Sequence, residues 1–186
     1  CYELIISAVS SYLAGDTTLQ YSITIGLYMC AMGLGSFLSK YLKKDLFNKF
    51  VWVEIGVGII GGVSSLVLFL SNLYIEQYQL VMYIWIIIIG TLVGIEIPIL
   101  TRIIESDQEN LRVTISSIFS FDYIGGLVGS IAFPLLMLPH LGYFATAFLT
   151  GSMNIFAAGL IVFRYNKEIK NGNFFKILVS ALFLLM

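Results

Sequence analysis

All ten basic residues of this 186-residue chain fall in three of its six connections between apolar stretches, and the other three connections contain none. Lys40, Lys43, Lys44 and Lys49 form one cluster, Arg102 and Arg112 flank a second, and Arg164, Lys167, Lys170 and Lys176 make a third. The intervening stretches approach the ~20 residues that an α-helix needs to cross a bilayer, so the spacing follows the positive-inside rule of polytopic membrane proteins. The expected topology puts loops 40-49, 102-113 and 164-176 in the cytoplasm of a multi-pass protein of a bacterial inner membrane, with odd helices running outward and even helices inward.

Composition agrees. The chain is 59% hydrophobic and 11% charged, whereas soluble domains carry about 25% charge. The charges are segregated by membrane side, so the net charge of -1 points to no polyanionic partner, and nucleic acid is not expected. Cys1 and Cys30 are too few and too scattered for a disulfide framework or a metal cluster, and both read as packing residues. Cys1 without an initiating methionine, and an apolar run that stops at Met186, read as cuts through a larger protein.

The expected fold is all-α, with residues 1-186 forming one transmembrane helical bundle of six helices plus a truncated seventh. The spans are Tyr2 to about Leu13, about Leu19 to Leu42, Phe50 to Ser71, about Tyr78 to Arg102, about Thr114 to Leu138, Tyr143 to Arg164, and a last one from Phe174. Pro139-His140 is read as the turn between the fifth and sixth, and Asp16 as a helix cap. Gly33-Leu34-Gly35-Ser36 and Gly126-Leu127-Val128-Gly129-Ser130 resemble each other weakly, which leaves open an inverted three-helix repeat of the transporter kind.

Four acids lie inside these spans: Glu3, Glu54, Glu96 and Asp122. An ionisable group at bilayer depth costs roughly 2.5 to 3.5 kcal/mol on insertion scales and normally faces the bundle interior. At about 1.5 Å per residue, all four fall roughly 7 to 15 Å inside the cytoplasmic edge. Residues at +4 and +7 share a helix face; these are Ser7 and Ser10 for Glu3, Gly58 and Gly61 for Glu54, and Gly126 and Gly129 for Asp122. Small residues let backbones approach, so each acid is expected along a close-packed seam and the acids are expected to converge. In the fourth span Gly90 and Gly94 lie about 160° from Glu96 around the helix, so both faces need protein partners. Pro98 removes a backbone donor beside Glu96.

Clustered carboxylates in low dielectric must be protonated, paired or occupied by a cation. Three readings stay open: hydrogen bonds to neighbours such as Tyr2, Tyr123, Ser7, Asn154 or Arg102 that fix helix register, a cytoplasm-facing site for a cationic molecule, and a proton or sodium path. His140 reads as a headgroup-level residue. No nucleophile-base pair, metal-ligand spacing or phosphate-binding loop is recognisable.

Five motifs carry a resemblance. Tyr2-Glu3-Leu4-Ile5, Ser11-Tyr12-Leu13-Ala14-Gly15-Asp16, Met32-Gly33-Leu34-Gly35-Ser36, Glu96-Ile97-Pro98-Ile99-Leu100-Thr101-Arg102 and Asp122-Tyr123-Ile124-Gly125-Gly126 resemble, in order and spacing, the membrane-embedded N-terminal region of bacterial polyamine aminopropyltransferases, the membrane-bound spermidine synthase-like proteins. The resemblance implies a larger enzyme of polyamine biosynthesis, with a cytoplasmic Rossmann-like C-terminal domain that transfers an aminopropyl group from decarboxylated S-adenosylmethionine to putrescine or a related amine. That domain is absent here, so these residues carry no catalytic site and no cofactor. The expected ligand-binding set is Glu3, Glu54, Glu96 and Asp122, with Tyr2 and Tyr123 for cation-π contacts and Arg102 balancing charge at the mouth. The expected partners are the lipid bilayer, a polyamine or its precursor amine, the protein's own catalytic domain and a second copy in a homodimer. A half-transporter for amines or cations and a purely passive anchor are the rival functions.

Overall fold

The computed structural model describes residues 1–105, 111–165, 169 and 172–185. They form an all-helical bundle without strands. The helices are α1 (Tyr2–Ala14), α2 (Thr17–Leu38, continued by a 3-10 turn Ser39–Tyr41), α3 (Leu46–Gly62), α4 (Ser64–Tyr74), α5 (Tyr78–Glu105), α6 (Leu111–Ala132), α7 (Leu138–Arg164) and α8 (Gly172–Leu185). Because α3 and α4 are one rod bent by 44°, the described residues make seven rods. Thr17–Tyr41, Tyr78–Ile104 and Ile115–Arg164 are long and apolar enough to cross a membrane, and the bent pair raises the number to as many as four.

Local chemistry sets the helix ends. Gly15 takes the left-handed conformation (φ 81) that ends α1 and donates its N–H to the Ser11 carbonyl, a conformation glycine adopts without a Cβ penalty. Asp16 then caps α2: its carboxylate accepts from the Leu19 N–H at 3.0 Å. Ser10 donates to Gln20 Oε1 and Ser11 to Thr17 Oγ1 across the same hairpin, at 2.7 and 2.8 Å.

Two breaks interrupt these rods, and the first departs from the sequence expectation. The third span, expected as one helix from Phe50 to Ser71, bends at Val63, between Gly61-Gly62 and Ser64-Ser65; Gly and Ser pairs are a usual cause of kinks. The bend is braced on both sides, since Trp85 Nε1 donates to the Ile60 carbonyl at 3.1 Å and Ser65 to the Tyr143 carbonyl at 3.1 Å. The connection expected at Pro139-His140 ahead of a span from Tyr143 coincides with a kink inside α7, and Pro134 sits upstream in a π-helical turn, Phe133–Met137, that leads directly into α7. The non-helical residue is Gly142 (φ 71, ψ -177).

Packing centres on α5, which runs along α2 on one side and α3 on the other, while α7 covers the far side of α3 and carries α8. One apolar core joins α1, α2 and α5 through Ile5, Ile6, Val9, Tyr28, Met82, Ile86 and Ile89. A second joins α3, α7 and α8 through Val51, Ile55, Ile155, Ala158, Val162 and Val179. At the end opposite the lysines, Tyr12, Phe69, Tyr143 and Phe144 form an aromatic group with ring centroids 5.0 to 6.2 Å apart. By contrast α6 contacts chiefly α5 and the π turn, and Phe121, Tyr123, Leu127 and Val128 are all at least 60% exposed.

The two glycine-rich segments that resemble each other have different surroundings. Gly35 packs against the α5 backbone, whereas a Cβ on Gly126 would meet nothing within 4 Å and one on Gly129 only the Cys1 thiol.

Candidate functional site

Residues of three separate helices enclose a cavity of about 480 Å³ at the bundle end that bears Lys49 and Arg102. Helix α3 contributes Phe50 and Glu54, α5 contributes Glu96, Ile97, Leu100 and Ile104, and α6 contributes Ser117, Ile118, Phe121 and Asp122. Three carboxylates therefore face one space whose remaining walls are mostly aliphatic and aromatic.

The glycine seam aims Glu54. A Cβ on Gly58 would lie 2.7 Å from Ile155 Cγ1 and 2.9 Å from the Gly151 carbonyl oxygen, and one on Gly61 would strike the Tyr2 ring. With that face of α3 pressed against α7 and α1, Glu54 is only 9% exposed and lines the cavity. Glu96 is set by the opposite face of α5, where Gly90 and Gly94 lie against the backbones of Tyr28 and Met32 in α2. Helix α5 runs on through Pro98. Proline has no N–H for the Gly94 carbonyl one turn earlier, so the helix is weakened at the level of Glu96.

Burial leaves polar atoms without partners. Glu96 Oε1 and the Tyr2 hydroxyl are both inaccessible and make no hydrogen bond. Such groups are rare and call for an explanation. Tyr2 is within electrostatic reach of Glu96 and Glu54, and Glu96 of Glu54 and Asp122.

The other expected site residues are placed differently. Asp122 lines the cavity but is exposed, because the Gly126 side of α6, expected to be a packed seam, has nothing against it. Glu3 is half-buried in α1, its carbonyl accepting from Ser7 Oγ at 2.7 Å, and does not line the cavity. Tyr123 is 71% exposed, stacks on Phe119 with centroids 6.1 Å apart, and does not line the cavity. Arg102 also has another task. Its guanidinium donates to the carbonyls of Ser39 and Leu42 at 2.9 and 3.1 Å and to Ser39 Oγ at 3.2 Å, satisfying the C-terminal end of α2. It lines a second cavity between α2, α5 and α6 and does not line the acidic one. Residues 106–110 of the mixed-charge segment, together with Lys167 and Lys170, lie outside the described residues.

Sequence reasoning missed Tyr28. It is buried in α2 within electrostatic reach of Glu3, Glu96 and Asp122. The available signal was its spacing of seven from Gly35, which puts both on the α5-facing stripe.

Comparison with known proteins adds an independent line. No protein-family model matches the chain, and no solved structure matches it. Among curated proteins it is 44% identical over 154 residues to the polyamine aminopropyltransferase of Leptospira interrogans, covering 83% of this chain and 31% of that one. It is 42% identical over 170 residues to polyamine aminopropyltransferase 2 of Ralstonia nicotianae (90% and 33%), and 36% identical over 172 residues to the Oceanobacillus iheyensis polyamine aminopropyltransferase (91% and 34%). The chain thus spans about a third of the length of these relatives. Over 83 to 91% of its own length, the chain is similar to a segment of proteins named polyamine aminopropyltransferase.

Proposed function

We propose that this chain is the membrane-embedded part of a polyamine aminopropyltransferase of the bacterial inner membrane, and that its acidic cavity binds a polyamine or precursor amine from the cytoplasmic side. The observation that carries this reading is the convergence of Glu54, Glu96 and Asp122, from three helices, on one cavity into which a hydrogen-bond-deficient Glu96 faces. Carboxylates gathered at low dielectric need a counter-charge. A flexible amine supplies several ammonium groups joined by methylenes, and the walls offer Ile97, Leu100 and Ile104 between the acids. The aminopropyl transfer itself, from decarboxylated S-adenosylmethionine, belongs to a catalytic domain outside these residues. Here the chain's part is to hold the enzyme at the membrane and concentrate the amine beside it.

The test is a calorimetric titration of spermidine, with putrescine as competitor, into the detergent-purified chain. Wild type is expected to bind saturably, and Glu96→Gln to weaken binding by about tenfold or more, since truncating one member of a desolvated charge pair costs about 2 kcal/mol or above; Asp122→Asn, at an exposed position, is expected to weaken it by a smaller factor. Unchanged affinity in both variants would dispose of the cavity. A passive anchor predicts that these substitutions shift thermal stability alone. A transporter half predicts amine uptake into proteoliposomes.

A further inference from the structure

On the far side of the molecule from the acids, α7 and α8 form a groove of about 360 Å³ with almost purely apolar walls. Gly159 and Val179 make its floor: a Cβ on Gly159 would lie 3.1 Å from Val179 Cγ1, so the two helices nearly touch there. Leu160 and Phe163 of α7 and Phe183 and Leu184 of α8 rise on either side and stay 48 to 86% exposed. Phe156 and Phe183, with ring centroids 6.1 Å apart, close the deep end.

The opposite end is basic. Lys176 stands one turn before Val179 and Ser180 on the groove face of α8, and its ammonium lies 5.4 Å from the centre of the Phe163 ring. Arg164 ends α7 one turn beyond Leu160, at the end where the helix carbonyls need cationic partners. From Lys176 to Leu184 the groove runs for about 12 Å at 1.5 Å per residue, close to the ~15 Å half-thickness of a bilayer's hydrocarbon core.

We propose that this groove is a binding site for an anionic phospholipid of the inner leaflet, with one acyl chain lying along Leu160, Phe163 and Phe183 and the headgroup phosphate held by Lys176 and Arg164. The charge complementarity at one end and the apolar length behind it select an amphiphile with a negative head. Neither a soluble anion nor an uncharged lipid uses both features. The inference rests on the membrane reading given above.

The test uses the chain extracted from membranes and exchanged into micelles doped with either phosphatidylglycerol or phosphatidylcholine, with retained lipid counted by native mass spectrometry. Wild type is expected to retain phosphatidylglycerol in preference to phosphatidylcholine. The pair Lys176→Gln and Arg164→Gln, the first half-buried and the second exposed, both outside the acidic cavity, is expected to lower that preference by about fivefold for each cation. Ser180→Trp, which fills the groove and leaves the cations in place, is expected to abolish retention of either lipid. Equal retention of the two lipids by wild type, a preference unaffected by the charge variants, or a groove covered by a second copy in a lipid-free dimer would overturn the site. A chain that never enters the membrane fraction overturns the membrane reading as well, so the two failures are distinguishable.

Discussion

Gly94→Ala and Gly35→Ala are each expected to destabilise the bundle by about 3 kcal/mol, at the upper end of the overpacking range, with thermal unfolding in detergent as the measurement. A Cβ on Gly94 would fall against the Met32 carbonyl oxygen and lie 2.6 Å from Met32 Cα. One on Gly35 would fall against the Thr91 carbonyl oxygen and lie 3.1 Å from the Gly94 carbonyl carbon. The obstructing atoms are backbone on both sides, so no rotamer change relieves the collision and α2 and α5 must separate along their whole shared face. The matched controls are Gly33→Ala and Gly26→Ala, on the same helix with nothing within 4 Å of the added methyl; helix propensity favours both by up to ~1 kcal/mol. Equal damage from Gly33→Ala and Gly94→Ala would mean that α2 does not cross α5 at this point. Because Glu96 is aimed from the same stretch of α5, the crossing also positions the acidic cavity.

The second large effect concerns the cavity itself. Leu100→Lys puts a permanent ammonium four residues after Glu96, on a side chain that already lines the space with Glu54 and Asp122. Glutamate four residues before lysine is the favourable helical order, and a tethered cation competes at millimolar effective concentration or above. Spermidine affinity is expected to fall about a hundredfold, with thermal stability unchanged or raised because the acids acquire an internal partner. The control, Leu127→Lys at a position 61% exposed on α6, is expected to cost roughly 2.5 to 3.5 kcal/mol of membrane insertion and leave amine binding intact. If Leu100→Lys instead destabilises the chain as Leu127→Lys does, the carboxylates do not share its environment.

The helical rods were legible in the sequence because apolar stretches bounded by Gly15-Asp16 and the lysine clusters leave little alternative. The seam of Gly58 and Gly61 was legible too, and with it the direction of Glu54. Two features were hidden for a physical reason: helix periodicity shows which stripe is small, but not which neighbour fills it. Gly126 carries the same small-residue spacing as Gly58, yet nothing packs there, and so Asp122 is exposed where Glu54 is buried. Arg102 is expected at the cavity mouth as a charge balance for the acids, whereas its fork is taken up by the carbonyls at the end of α2. The bend at Val63 had a signal in Gly61-Gly62 and Ser64-Ser65 that continuous hydrophobicity masked.

The acids and the homology point the same way from independent starting points. Carboxylates converging between α3, α5 and α6 suit a polycation, and the relatives that align over 83 to 91% of the chain are named for polyamine chemistry. Photolabelling with a diazirine-bearing spermidine analogue tests the joint claim where it is most exposed. Saturable labelling confined to peptides containing residues 96–104 and 117–122, and displaced by unlabelled spermidine, is the expected result. Labelling that concentrates on the aromatic end around Tyr12 and Tyr143, or that excess spermidine fails to displace, would contradict it.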